Sequence, residues 1–276
     1  MSEADGWQVS GSAAEVYESA LVPALFAQWV DPMLDAASVS EGDAVLDIGC
    51  GTGVLARGAH ERVGSSGRVV GLDLNGGMLA VAGQIAPEVE WVAGDAGALP
   101  FGDAAFDAVV SQFALMFFPD RATALSEAAR VLAPDRRAAF MVWGTIDRCE
   151  GYRRAADIFE RLVSPEAAEI LRAPHALGDP ASLRGLLQDA GFESVSVESR
   201  TGAARYPSAE NFVAMEIDGT PLAGHVAAAG AETRATVLRE LDAALEEFST
   251  PDGFSFPIGV VVATGASRSR PSSVAR

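Results

Sequence analysis

The chain has 276 residues, 49% of them hydrophobic, which is ample for a buried core, and a formal net charge of −18. All 20 basic residues are arginine, and so acidic a balance disfavours phosphate backbones and anionic membrane surfaces as partners. Cys50 and Cys149 are too few for a disulfide framework or a Cys-based zinc site, no metal cluster stands out, and neither a secretory signal nor a long apolar run is present, so a cytoplasmic protein is expected.

Residues 12 to 38 carry apolar positions at helical spacing, with Pro23 and Asp31-Pro32 dividing them into two or three short helices. After Gly42 short apolar runs alternate with helical segments, the signature of βαβ units on a parallel sheet. Strands are expected at 44–49, 68–74, 89–95, 106–112 and 137–143, with helices at about 53–63, 76–85 and 120–132; Pro119 competes with Asp120 for the start of the last. A helix over 150–175 follows the fifth strand, where an open α/β sheet has its ligand crevice, and so reads as a lid. A helix at 181–190 ends at Gly191, and 193–200 alternates as a half-buried strand. Val237, Leu238, Leu241, Leu245 and Phe248 form one stripe of a helix over 231–248, Ile258 to Thr264 is a last strand, and Ala266 to Arg276 reads as a disordered tail. The expected organisation is an N-terminal helical segment (1–40), a cofactor-binding core (41–145), a helical cap (146–180) and a C-terminal part of the sheet with helical insertions (181–265).

The strongest local signal is Ala44-Val-Leu-Asp-Ile-Gly-Cys-Gly-Thr-Gly53, a strand running through glycines 49, 51 and 53 into a helix. Glycines there let a ligand approach the backbone, and the helix start offers unpaired N–H groups. Dinucleotide enzymes use a related loop with G-x-G-x-x-G spacing, whereas here the glycines are spaced Gly49-x-Gly51-x-Gly53, with Asp47 two residues before the first. The second strand ends at Asp73, 20 residues after Gly53, where a carboxylate can accept from both ribose hydroxyls; the third ends at Asp95.

Taken with Leu99-Pro-Phe101 and Ala129-Arg-Val-Leu-Ala-Pro134, these motifs resemble the class I S-adenosylmethionine-dependent methyltransferases, the group that includes ubiquinone and menaquinone pathway enzymes. The resemblance covers about residues 40 to 145 and implies a Rossmann-like α/β fold with a seven-stranded, mostly parallel sheet, helices on both faces and an inserted helical cap. It assigns Gly49, Gly51 and Gly53, with Cys50 between them, to the methionine and ribose side of S-adenosyl-L-methionine. Asp73 would take the ribose hydroxyls, Asp95 the adenine amino group and the Ala96 backbone an adenine nitrogen. Leu74 and Met78 would flank the adenine, Asp47 would order the loop and the amino-acid end, and Ser111 and Gln112 would complete the set. The chain departs from the family's Arg-Val-Leu-Lys-Pro-Gly-Gly at Pro134-Asp-Arg-Arg137, and at His60, where a small residue is usual.

Methyl transfer from a sulfonium is a direct displacement that needs in-line positioning above all, and a base only where the acceptor is protonated. Ser111-Gln-Phe-Ala114 does not resemble the Asn/Asp-Pro-Pro-Tyr/Phe of enzymes that methylate base amines, and neither cysteine follows a proline as in cytosine C5 enzymes. Tyr17, Gln112, Phe113, Phe117 and Trp143 are the expected acceptor-pocket residues, and His175 is the candidate catalytic base, ahead of His225. Other readings are a non-methyl reaction such as cyclisation on the same fold, or a noncatalytic binding protein; intact glycines and carboxylates disfavour the latter.

Overall fold

A computed structural model describes residues 11–218, 220–251 and 253–267. Among the described residues eight strands form one sheet in the order β3-β2-β1-β4-β5-β8-β6, with the short β7 paired antiparallel to β8. They are β1 (Ala44–Ile48), β2 (Arg68–Asp73), β3 (Glu90–Ala93), β4 (Phe106–Gln112), β5 (Leu132–Trp143), β6 (Glu193–Tyr206), β7 (Ser249–Thr250) and β8 (Gly253–Ala266). The chain clusters into two units made of interleaved segments.

One unit comprises Ala27–Val142, Pro180–Glu198 and the chain from Val262. Strands β1 and β4 are almost wholly buried, as expected for central parallel strands covered on both faces. Parallel pairing sets Asp47 opposite Gly71 and Val110, and Asp73 opposite Ala93, so the acid-bearing strand ends share one edge of the sheet. The helices of this unit are α2 (Val30–Ala36), α3 (Val54–Val63), α4 (Gly76–Ile85), α5 (Arg121–Val131) and α8 (Pro180–Asp189), numbered with α1 (Gly11–Val16), α6 (Glu150–Leu162) and α7 (Pro165–Arg172) of the other unit. Asp120 caps α5 by accepting from Thr123 N at 2.9 Å, which settles its start against Pro119. Strand β5 begins five residues before its expected position, at Leu132 rather than Arg137, because its pairing with β4 shifts register between Phe106 and Ala108. Asp135 stands there at φ 63°, taking the left-handed conformation that the family's glycine would supply. Strand β8 ends at Ala266, and Ser267 is buried with its backbone N–H donated to Arg136 O at 3.0 Å, so the expected tail does not begin at Ala266. Residues 268–276 of that tail lie outside the described residues.

The other unit comprises the chain up to Phe26, Trp143–Asp179 and Ser199–Val261. After α1, a wide helical stretch (Tyr17–Phe26) contains Pro23 within it, so this proline does not divide the segment as expected. The expected helix over 150–175 is broken into α6 and α7, because Ser164 accepts from Ala167 N at 3.2 Å and Pro165 opens a new first turn. Helix α6 buries Tyr152, Ala155, Ile158 and Phe159 and packs on α7 and on α11 (Ala231–Leu245), which follows α9 (Ala209–Asp218) and α10 (Leu222–Ala229). Arg154 donates to Ala244 O at 2.6 Å near the α11 C-terminus and lies over the Phe248 ring at 5.2 Å.

Tyr152, Tyr206, Phe212, Phe254 and Phe256 pack edge to face with centroids 5.2–5.7 Å apart along their Tyr152–Phe212, Tyr206–Phe212, Phe212–Phe256, Tyr152–Phe256 and Phe254–Phe256 contacts. Into this cluster Glu216 brings a buried carboxyl, which accepts from Tyr152 OH at 3.2 Å. Burial pushes its pKa up to about 7.

On α11 the buried positions are Val237, Leu241 and Leu245, whereas Leu238 is 37% exposed and lies off the expected stripe. Leu241→Ala is therefore expected to cost about 2–5 kcal/mol and Leu238→Ala less than about 1 kcal/mol in urea denaturation. Equal losses would mean that the stripe is wrongly placed.

Candidate cofactor site

Between β1 and α3 the chain crosses the strand edge through Gly49, Gly51 and Gly53, all at positive φ. A Cβ on Gly49 would overlap Ala114, and one on Gly53 would overlap the indole of Trp91, so both positions require glycine for space as well as conformation. Gly49 and Cys50 donate their N–H groups to Leu72 O at 2.8 and 3.1 Å, which stitches the loop to β2.

Asp73 organises this edge. Its Oδ2 accepts from Gly51 N and its Oδ1 from Asn75 N, both at 2.8 Å. Asn75 in turn caps α4 by accepting from Gly77 N at 2.9 Å and Met78 N at 3.3 Å. Burial raises the Asp73 pKa, and the N–H groups of Asn75, Gly51 and Leu74 oppose that rise. Asp47 is 1% exposed and its Oδ2 has no hydrogen-bond partner among the described residues. Burial first and the neighbouring Asp73 second push its pKa up to about 8, against the Ala56 N–H. The Cys50 thiol is buried and held well above its ordinary range by burial, with Asp47 and Asp73 adding to it.

Further along the edge, Leu74 is 59% exposed, Met78 is buried beneath the start of α4, and Asp95 is exposed with Oδ1 accepting from Gly97 N at 2.8 Å; Ala96 beside it is buried. Ser111 does not join them. It is fully buried, and its hydroxyl donates to Ile48 O at 2.8 Å, tying β4 to β1. Gln112 is half-buried at the end of β4, and Phe113, at φ 55°, donates its N–H to Met141 O at 2.8 Å. Phe117 is 40% exposed on a short turn.

Three functional neighbours escaped the sequence reading. Trp91 donates Nε1–H to Ala86 O at 2.9 Å and presents its ring to Gly53 and Gly71. Asn75 escaped although Asn before a Gly-Gly helix start is a recognisable cap signal. Glu127 accepts from Leu99 N at 2.9 Å and from Arg130 Nε at 2.6 Å, while Arg130 donates to Phe101 O at 2.8 Å and Leu99 O at 3.1 Å. This pair holds the Leu99-Pro-Phe101 loop, and its i, i+3 spacing was the available signal.

Tyr17, Trp143 and His175 belong to the other unit. Tyr17 stacks on Phe26 at 5.3 Å, and Phe26 lies 6.2 Å from Trp143. His175 is 8% exposed, with ring centroids 6.2 Å from Trp143 and 6.0 Å from Tyr152. His60 and His225 are half-buried. Among the described residues no group of three or more His, Cys, Asp or Glu could hold a metal ion, and no helix is long and apolar enough to cross a membrane.

A family model described as a methyltransferase domain matches residues 45–135. The 2-phytyl-1,4-naphtoquinone methyltransferase of Thermosynechococcus vestitus is 34% identical over 179 residues, spanning 60% of this chain and 80% of that protein. The chain belongs to the class I S-adenosylmethionine-dependent methyltransferases. A second relative, the ubiquinone/menaquinone biosynthesis C-methyltransferase UbiE of Klebsiella pneumoniae, is 31% identical over 63% of this methyltransferase and 75% of its own length. The YcgJ protein of Bacillus subtilis shares the fold, with a TM-score of 0.59, 20% identity and coverage of 88% of this chain and 99% of its own. Phosphoethanolamine N-methyltransferase 2 of Haemonchus contortus does so with a TM-score of 0.61 and 18% identity over 96% of this chain and 59% of its own.

Two outcomes test the site's construction. Gly53→Ala should destabilise the methyltransferase by about 2–4 kcal/mol through left-handed strain and overlap with the indole, and adding Trp91→Ala should relieve part of that loss; additive losses in thermal unfolding would contradict the contact. Because the folded Asp47 binds a proton that the unfolded chain releases above about pH 4, its contribution is full at low pH and is lost as pH rises through about 8. Wild type should therefore lose roughly 1–2 kcal/mol relative to Asp47→Asn between pH 6 and 8 in parallel urea titrations, and parallel pH curves would refute the assignment.

Proposed function

We propose that this methyltransferase acts on a hydroxylated aromatic small molecule of the quinol type, with S-adenosylmethionine held along the β1 to β4 edge. The observation that carries the cofactor assignment is the pairing of Asp73 with Asp47. Each carboxylate oxygen offers two lone-pair sites, and the Gly51 and Asn75 amides take one from each oxygen of Asp73. The carboxylate retains acceptor capacity beyond these backbone amides, which suits a ribose hydroxyl.

Asp47 adds a second buried acid with an unpartnered oxygen. A ligand carrying a sulfonium and an ammonium relieves repulsion between two such acids, whereas the pyrophosphate of a dinucleotide would increase it. The residues present thus fit S-adenosylmethionine, with Leu74 and Met78 offering apolar surface to the adenine, Asp95 an acceptor for its amino group and Ala96 a backbone N–H. Gly49, Gly51 and Gly53 would admit the amino-acid and ribose portions close to the main chain.

When bound, the cofactor supplies an electrophilic methyl group on a positively charged sulfur. The chain's part is to hold it at a set depth and angle: Asp73 at the ribose, the glycine loop at the amino-acid end, Leu74 and Met78 at the ring. Orientation of this kind contributes roughly 7–11 kcal/mol to a displacement. The acceptor class rests on the relatives, whose names specify 2-phytyl-1,4-naphtoquinone and the ubiquinone/menaquinone pathway. A net charge of −18 is compatible with a neutral acceptor and opposes a polyanionic one.

Calorimetric titration with S-adenosylmethionine, S-adenosylhomocysteine and NADH tests the cofactor assignment, followed by a panel of naphthoquinols and benzoquinols scored for S-adenosylhomocysteine release. Binding of the two sulfur ligands and not NADH is expected; binding of none, or of NADH alone, would overturn the reading. Asp73→Ala should weaken S-adenosylmethionine binding by about 1–3 kcal/mol in a folded variant, and unchanged affinity would remove Asp73 from the ribose site.

A further inference from the structure

We infer that α9 is a pH-controlled flap: while the Glu216 carboxyl keeps its proton, the helix seals the aromatic cluster of its unit, and when that proton leaves to water the helix opens. Helix α9 lies between Pro207 and Pro221, and its buried stripe is Ala209, Phe212, Val213, Glu216 and Ile217. All but one of these are apolar, as the inner face of an amphipathic helix requires. The exception is an acid, 8% exposed, whose carboxyl enters the cluster beside Tyr152.

Among the described residues no cation offsets this acid. From α6 Tyr152 meets it, donating its hydroxyl to Oε1 at 3.2 Å, and from β6 Tyr206 lies behind, its hydroxyl 3.5 Å from that of Tyr152. Both phenols stay protonated where a carboxyl titrates, and burial holds them higher still. Strand β8 contributes Phe254 and Phe256, whose rings meet Phe212 of α9 at 5.6 and 5.2 Å. Of the helices that pack on α9, α11 buries Val237, Leu241 and Leu245, and α10 buries Leu222 and Val226 while its His225 lies toward Glu166 of α7. His175 approaches the ring of Tyr152, at 6.0 Å between centroids, and Glu210 is exposed in the first turn of α9 itself.

A carboxylate in these surroundings has lost its water and gained one neutral hydrogen bond, so ionised Glu216 is favoured outside the cluster and protonated Glu216 within it. The 3.2 Å contact is also long against the roughly 2.5–2.7 Å of a hydroxyl bonded to a carboxylate, which fits a neutral acceptor. Burial pushes the carboxyl's pKa up to about 7 in the closed helix, and in the open one it titrates as an ordinary exposed glutamate. The closed form therefore holds a proton that the open form has released. Its advantage is full below the ordinary glutamate range and is lost as pH rises through about 7.

Amide hydrogen exchange of the full-length protein between about pH 5 and 9, with each rate divided by its intrinsic value, reads the opening of α9. Opening of residues 209–218 should rise about tenfold per pH unit from pH 5 to 7, level off above about pH 8 and run ahead of the β1 and β4 amides. Glu216→Gln keeps an acceptor for Tyr152 but carries no titrating proton, and it should hold the opening within about threefold across the whole range. A wild-type profile that is flat from pH 5 to 7 overturns the proposal, and so does a rise that persists in Glu216→Gln. Amides of α9 that exchange no faster than those of β4 at every pH also overturn it, since the helix would then open only with the whole chain. Should Glu216→Gln fail to fold, the wild-type profile decides by itself.

Discussion

The structure of the candidate site depends on one arrangement: two acids brought out of water at adjacent strand ends and stabilised by main-chain amides. Asp47 and Asp73 sit on β1 and β2, which pair in parallel, so their side chains reach the same edge of the sheet. Desolvation raises both, and the only counterweight is backbone N–H. Gly51 and Asn75 must then present their amides to Asp73, which constrains the conformation of the β1–α3 loop and the start of α4 together. The Asn75 cap on α4 follows from that requirement, and the Trp91 ring packs against Gly53 beside it.

The second unit solves a different problem with similar chemistry. It buries Glu216 among aromatic rings, with a tyrosine hydroxyl rather than a peptide amide for company, and its only buried histidine gives one nitrogen to a carbonyl. Both acids, Asp47 and Glu216, are raised toward neutrality, but by different surroundings. A neighbouring carboxylate adds to the desolvation of Asp47, whereas burial alone accounts for Glu216. A cationic ligand would favour the ionised form of the former, and nothing cationic among the described residues does so for the latter.

Much of this was legible beforehand because it is written in local pattern. Continuous apolar runs marked β1 and β4 closely, helical spacing marked α4 to the residue, and the motif spacing placed Asp47 and Asp73 at the ends of neighbouring parallel strands. What escaped depended on contacts between distant segments. Ser111 looked available for a ligand, but its hydroxyl is spent on Ile48, 63 positions away. Trp91 looked like an ordinary strand residue until its ring met Gly53 and Gly71. Leu238 fits a helical stripe as well as Leu241 does, and only packing on the neighbouring helices distinguishes them.

By itself, the sequence determined the fold class, the order of the βαβ units and the residue types at the acid-bearing strand ends, because periodicity, turn chemistry and motif spacing are properties of neighbouring residues. Tertiary structure alone decided which acids lose their water, which carbonyl the His175 ring meets and which side chains are exposed. Those depend on what lies across space from each group, and solvent exclusion and hydrogen-bond pairing are set there.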